Sequence, residues 1–584
     1  MNKQIWSLLD NLRGPLEPRD YIVQVAACFV WFKQTETQVI DEELRFNYQL
    51  AGTELHVLTQ KLASAVQVET IFLPECRDKL TGEQIFQLMR SLRELINAKL
   101  ISYIDLSDIL KRMASDLGKF VVAAHVPKEL VQLGNSLLGD KVQSVYCPFN
   151  TGYFFANALP KQSKTCGEEK VLTDVFFAEV DTFLTDSNFH INQTDCISLP
   201  TYIGDGGLEQ FQSAIAFPPL NQKYGKLEIN DIWGRFPESS LTGDVYHLRH
   251  MLAHVSDLVV CFVSNNFLFR TAAGEKHFKQ DILEQGLLKA VIALPEGLLS
   301  NTMIPVNILV LDKAKTSQEV MFIDASSDKF VEKVSRTRGR LVNAEAIMEA
   351  FITENNSEIS KLSSIDEIIA NEYNLSPSRY ILSDEEKRLN DFLSQHDTAR
   401  LEDVVEIIRP QALKHDDSGS EDYIEFNVSN LNEIGQVSGR GKQVLVNQKD
   451  LSRARKQEIQ AHDVLVVCKG AVGKVGLVGE EVAENAIASQ AFSILRIKPH
   501  IAGITPVSLF QYLQSTFGQL QLSSLTTGTS ALMLSAKDLS SMPVPLLTES
   551  KLQQAQQVRG EVEQAFSEIE QAKVKIKQLN ENWL

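Results

Sequence analysis

The chain lacks any run of about 20 uncharged apolar residues, the length a membrane-spanning helix needs, so no membrane partner is expected. Its opening, MNKQIWSLLDNLRG, lacks the long apolar segment of a secretory signal, and a cytoplasmic protein is the expectation. Cysteine is sparse and scattered (Cys28, Cys76, Cys147, Cys166, Cys196, Cys261, Cys468), with no C-x-x-C and no histidine nearby at ligand spacing. That pattern indicates neither a disulfide framework nor a metal site, and the cysteines read as buried small hydrophobes. Positive charge is also in deficit: 57 Lys and Arg against 75 Asp and Glu give a net charge of −18. A wholly basic DNA coat is excluded, although a DNA binder with one positive face is not. Helicase motifs, an H-N-H cluster and a P-D…D/E-x-K word are missing as well, so any cleavage would need a partner.

What is present spans several domains, because single cores stop growing well below 584 residues. Residues 1–120 read as a helical domain. Tyr21 to Phe32 (YIVQVAACFVWF) is apolar nearly all round, as in a core helix, and Thr81 with Gln84 has capping-box spacing ahead of a second helix to Leu100. Residues 121–385 alternate short β-branched runs with helical segments, which predicts a Rossmann-like α/β domain with a mainly parallel sheet. Its expected strands are Val142–Cys147, Val175–Val180, Ala214–Phe217, Leu258–Val263, Ala290–Leu294, Val306–Leu311 and Val320–Ile323. A charged helical connector, 386–399, leads to an α+β domain at 400–547. The last segment, 548–584, has apolar or small residues at 555, 558, 562, 565, 569, 572, 576 and 579, the seam of a coiled-coil helix that wants a partner.

The organising stretch is Ser213 to Leu220, S-A-I-A-F-P-P-L. Proline lacks an N–H and locks φ, so the strand must turn out at its carboxyl end, which is where open α/β sheets place ligands. An earlier strand feeds C-P-F-N-T-G-Y-F-F (Cys147 to Phe155), a glycine-bearing turn running into a helix, suited to cradling a cofactor.

These words resemble those of type I restriction-modification methyltransferase subunits, which are adenine-N6 DNA methyltransferases. The resemblance rests on L-R-G at Leu12–Gly14, on LFRTAAGEKHFKQDILE (Leu268–Glu284), VIALPEGLL (Val291–Leu299), IPVNILVL (Ile304–Leu311), FIDAS (Phe322–Ser326) and NEYNLSPSRY (Asn371–Tyr380), all in the family's order. It implies that Pro148, Phe149, Thr151, Gly152 and Asp195 line the place of S-adenosylmethionine. It also implies that Phe217, Pro218, Pro219 and Leu220 stand where the family has Asn-Pro-Pro-aromatic. Cys147 replaces the family's acid, one glycine is missing, and Gln212 stands for a second acid, so the altered loop argues against cofactor binding.

Adenine N6 is a poor nucleophile, and in the family an Asn carbonyl and the first Pro carbonyl accept its hydrogens while the aromatic stacks on the flipped base. Phe217 has no such acceptor and Leu220 has no π-face. Losing one positioned polar group costs about 3–4 kcal/mol, and losing the stacking face about 1–3 more.

Residues 400–547 resemble one target-recognition domain of a type I specificity subunit, with a glycine turn at 470–476 and a strand in ASQAFSILRI (Ala488–Ile497). Arg440, Lys442, Arg453, Arg455, Lys456 and Lys474 are its candidate contacts to double-stranded DNA. A G-x-x-G-K-x-G run there lacks the G-K-S/T ending of a phosphate loop. The resemblance implies a homodimer through the terminal helix, and a nuclease, translocase or active methyltransferase as further partners. The expected function is a DNA-recognising pseudo-methyltransferase in a restriction-modification-like or anti-phage defence complex. The competing reading is an active S-adenosylmethionine-dependent adenine-N6 methyltransferase.

Overall fold

A computed structural model describes residues 9, 18–49, 57–58, 61–62, 81–117, 125–139, 141–220, 222–224, 231–240, 242–299, 303–315, 317–335, 338–382, 384–413, 421–527 and 533–581. Leu12–Gly14 and Cys76 lie outside these residues. The chain forms two units, 1–381 and 382–584.

In the first unit the apolar run Tyr21–Phe32 forms the centre of helix α1 (Pro18–Glu36) and is buried along its whole length. Helix α2 (Gly82–Asn97) starts at the capping box expected from the sequence, with Gln84 N donating to Thr81 Oγ1 at 3.2 Å and Thr81 N to Gln84 Oε1 at 2.9 Å. Helix α3 (Tyr103–Leu117) joins the same core, which also takes in Val175, Phe176, Val180 and Leu184. Lys33 ties the two layers together, donating to the carbonyls of Phe183 and Leu184 and to Asp186.

The sheet has nine strands: β1 (Ser144–Tyr146), β2 (Lys164–Glu169), β3 (Phe189–Gln193), β4 (Phe211–Ala216), β5 (Val255–Ser264), β6 (Leu288–Ala293), β7 (Val306–Asp312), β8 (Glu319–Asp324) and β9 (Ser360–Ser364). Their order is β3-β2-β1-β4-β5-β7-β6-β8-β9, with β3 to β5 parallel and β7 antiparallel to both neighbours. The chain leaves β1 towards β2 and leaves β4 towards β5, so the winding reverses between β1 and β4. That crevice, at the strands' carboxyl ends, is the switch point where doubly wound sheets bind ligands.

One expected strand is a helix. Val175–Val180 lies inside α6 (Leu172–Thr185), which follows α4 (Lys128–Leu138) and the short α5 (Gly152–Ala156). Helix α6 is wedged between the helical core and the sheet, so nearly all its faces are buried and its apolar run shows no helical period. The true neighbour of β1 is β2, K-T-C-G-E-E, whose polar letters hide a buried strand.

Among the described residues the second unit carries, besides two strand pairs, two small sheets. One orders β10 (Val405–Ile408), β16 (Phe492–Ile497), β13 (Val464–Val467) and β14 (Val475–Leu477); the other orders β12 (Lys442–Val446), β11 (Glu421–Phe426) and β15 (Ala486–Ala488). Helix α7 (Asp384–Ser394) precedes them, α8 (Pro506–Gln514) packs against β14, and α9 (Glu549–Glu581) closes the unit as one 33-residue helix.

Candidate functional site

At the switch point the turns after β1 and β4 are tied by one hydrogen bond, from Thr151 Oγ1 to the carbonyl of Phe217 at 2.6 Å. Phe217 does not face the crevice. Its side chain is 3% exposed and stacks on Phe262 of β5, with ring centroids 5.1 Å apart and planes at 15°. Pro218 is buried, Pro219 exposed, and Leu220 packs on the same apolar cluster as Phe217. Phe217, Pro218 and Leu220 thus pack into or against the core, and Pro219 faces outward.

The turn after β1 is closed in the same way. Cys147 N donates to Cys166 O at 2.7 Å and Phe149 N to Glu168 O at 2.9 Å, so the turn hangs on β2. Phe149 takes a left-handed φ of +70° and its ring lies 4.7 Å from that of His247, nearly out of solvent. Gly152 is obligatory, because a Cβ there would meet Cys147 O at 1.9 Å. Asp195 caps the turn after β3, accepting from Ile197 N at 3.2 Å, with Lys170 3.9 Å away. The structure thus brings Pro148, Phe149, Thr151, Gly152 and the Phe217 turn together. Gln212 sits at the amino end of β4, where its side-chain Oε1 accepts from Gln143 N and its backbone N donates to Ser144 Oγ.

Residues 107–388 match the family model described as N-6 DNA Methylase. This segment, just under half of the chain, is similar to an N-6 DNA methylase. The chain is 27% identical over 291 residues to the type I restriction enzyme MjaVII methylase subunit of Methanocaldococcus jannaschii, covering 45% of this chain and 50% of that subunit. It is 26% identical over 387 residues to the type I restriction enzyme MpnII methylase subunit of Mycoplasma pneumoniae, covering 61% and 69%. The chain thus spans half the length of the first relative. The crystal structure of a type I restriction-modification system methyltransferase subunit from Streptococcus thermophilus shares the fold, with a TM-score of 0.53 at 18% identity, over 65% of this chain and 98% of that one.

The first unit also contains a buried polar chain that sequence reading missed. The residues 243–253 form a helix carrying His247 and His250, followed by His254, and this spacing was the available signal. Arg235 is 4% exposed and donates through Nη1 to Cys196 O at 2.9 Å and to His250 Nδ1 at 2.8 Å, through Nη2 to Ile197 O at 2.7 Å, and through Nε to Asp231 at 2.8 Å. A guanidinium only donates, so His250 Nδ1 accepts and Nε2 carries the hydrogen. That hydrogen meets the Tyr146 hydroxyl at 2.8 Å, and Tyr146 in turn donates to Glu168. Glu168 also accepts from the Thr201 hydroxyl at 2.6 Å.

Glu168, His250 and His254 each place a potential ligand atom within 4.8 Å of the others. The donor set does not fit a cation: the ring nitrogen of His250 that would bind it is protonated, and a guanidinium lies on the opposite nitrogen. S-Adenosylmethionine fits the β1 turn poorly too. Cys147 stands where the resemblance implies an acid, burial pushes its thiol up, and Phe149 is buried beside it. Glu169, at the carboxyl end of β2, is pushed by burial up to about 7.

Burial holds His247 down to about 3 and His254 down to about 4. Both fold as neutral rings, so their contribution to stability is complete above pH 6.5 and is lost as pH falls towards those values. Glu169 and Asp244, raised to about 7 and about 6, act in the opposite sense. The informative quantity is therefore a difference: in urea titrations between pH 7 and 4.5, His247→Gln should lose less stability on acidification than the unaltered chain. Parallel curves would refute the assignment.

In the second unit, Arg453, Arg455 and Lys456 share the short helix Leu451–Lys456, Arg440 and Lys442 flank the start of β12, and Lys474 lies on the turn between β13 and β14 in the other sheet. All six are exposed. Arg453 pairs with Asp450 at 3.2 Å and Arg455 with Glu421 at 3.3 Å, whereas among the described residues no ion pair holds Arg440, Lys442, Lys456 or Lys474.

Proposed function

We propose that this chain binds double-stranded DNA sequence-specifically and keeps an adenine-N6 methyltransferase fold without methyl transfer, acting as a recognition scaffold in a restriction-modification-like or anti-phage defence complex. The observation that carries this reading is Phe217: its ring is in the core against Phe262, so the position presents no side-chain acceptor to an adenine amino group, and its carbonyl already accepts from Thr151. Residues 400–547 serve as the target-recognition domain. Helix α9 pairs two copies, so that each supplies one half-site reader to a bipartite sequence. A nuclease, translocase or active methyltransferase would supply the chemistry.

One observation favours the competing reading of an active S-adenosylmethionine-dependent enzyme. Asn150 Oδ1, in the β1 turn, is buried without a donor, an acceptor that a cofactor amine could satisfy.

DNA binding is tested by salt. Replacing Arg440, Lys442 and Lys456 together by alanine should flatten the slope of log K against log salt by about 2–3, because each phosphate contact contributes about 0.9. Anisotropy titrations on duplex DNA across a salt series measure it. An unchanged slope would remove these residues from the interface.

A further inference from the structure

The turn that leaves β1 at the switch point is held in a strained conformation. Phe149 has a φ of +70°, which a bulky side chain takes only where its surroundings force it. Two backbone hydrogen bonds hold it there: Phe149 N donates to Glu168 O and Phe149 O accepts from Gly152 N, each at 2.9 Å. The ring is 7% exposed, belongs to the apolar cluster of Cys196, Ile197 and Val245, and lies 4.7 Å from the ring of His247.

Two polar atoms are left unsatisfied beside that ring. His247 is 1% exposed; its Nε2 meets the Tyr224 hydroxyl at 2.9 Å, and its Nδ1 is buried without a partner among the described residues. Asn150 Oδ1, one residue along the turn, is buried without a donor. A phenyl ring can satisfy neither, and a buried polar atom without a partner destabilises the fold. Backbone strain and two unpaired atoms in one place fit a pocket for a polar ligand that here holds an apolar substitute. An acid also survives nearby: Glu169, at the carboxyl end of β2, stands where doubly wound folds read the hydroxyls of a ribose.

Resting on the reading that the chain has given up methyl transfer, we infer that Phe149 is a built-in plug: its ring takes the space of a flat heterocycle bearing an amine, so that the crevice excludes adenine nucleosides, S-adenosylmethionine included, until the ring is removed. The amine of such a ligand would donate to Asn150 Oδ1. With Tyr224 donating to Nε2, the hydrogen of the neutral His247 imidazole sits on Nδ1 and can go to a ring nitrogen of the heterocycle. The plug acts as a competitor tethered at the site. A ligand sees only the chains whose ring has swung out, and an open fraction of about 1% weakens its apparent affinity about a hundredfold. Glycine at position 149 would remove the ring and keep a φ of +70° without strain.

The test is equilibrium dialysis of the full chain against radiolabelled adenosine and S-adenosylmethionine. Phe149→Gly and Phe149→Ala should each bind adenosine at least about tenfold more tightly than the unaltered chain, and Phe149→Leu, which refills the space, should not. Purine riboside, which lacks the amine, should bind Phe149→Gly about tenfold more weakly than adenosine does. Micromolar binding of either labelled ligand by the unaltered chain would overturn the plug whether or not the variants fold. Two variants that are folded by circular dichroism and gain no affinity would overturn it as well, and equal binding of purine riboside would overturn the ligand class. The reading on which the inference rests fails separately, on N6-methyladenine laid down by the unaltered chain.

Discussion

Phe217→Asn is expected to destabilise the first unit by about 3–5 kcal/mol and to create no methylation, even though it rebuilds the Asn-Pro-Pro word. The ring it removes is stacked on Phe262 inside the core shared with Ile215 and Val260, so the substitution leaves a cavity and puts an amide among apolar groups. The Thr151 hydroxyl would still hold the residue 217 carbonyl, Leu220 would still lack a π-face, and Cys147 and Phe149 would still close the turn after β1. Urea unfolding measures the first effect, and a methylation assay on DNA from a methylation-deficient host measures the second. A stable variant that gains activity would mean that the domain is one substitution from an enzyme.

Arg235→Met should cost a similar 3–5 kcal/mol, the usual loss when one partner of a buried ionic network is removed. It strands the Asp231 carboxylate and leaves the carbonyls of Cys196 and Ile197 and the Nδ1 of His250 without a donor. Without the guanidinium, nothing fixes the His250 tautomer that connects to Tyr146 and Glu168, so the turn after β3, the segment around 231–235 and the helix 243–253 lose their common anchor. Asp231→Asn, which keeps an acceptor for Arg235, should cost less. Equal losses for the two variants, or a near-neutral Arg235→Met, would show that the network contributes little.

Much of the sheet was legible because its central strands carry long apolar runs, such as Leu258–Val263, and a sheet buried on both faces leaves that signature. The Pro-Pro turn and the glycine turn were legible for a related reason: proline and glycine restrict or release the backbone in ways that neighbours cannot override. Misreadings arose where burial and residue type part company. Val175–Val180 looked like a strand because α6 is buried on both sides, and β2 was passed over because buried Glu168 is satisfied by hydrogen bonds from Tyr146 and Thr201, both distant in sequence. The direction of the Phe217 ring could not be read at all, since it depends on the opposing Phe262, 45 residues further along the chain.

Long-read modification sequencing of DNA from a methylation-deficient host producing this chain alone tests the central claim most directly. Absence of N6-methyladenine at every motif, with the purified protein folded and still binding duplex DNA, is the result expected of a methyltransferase fold kept for recognition. A bipartite motif carrying N6-methyladenine would contradict it and identify the chain as an active enzyme.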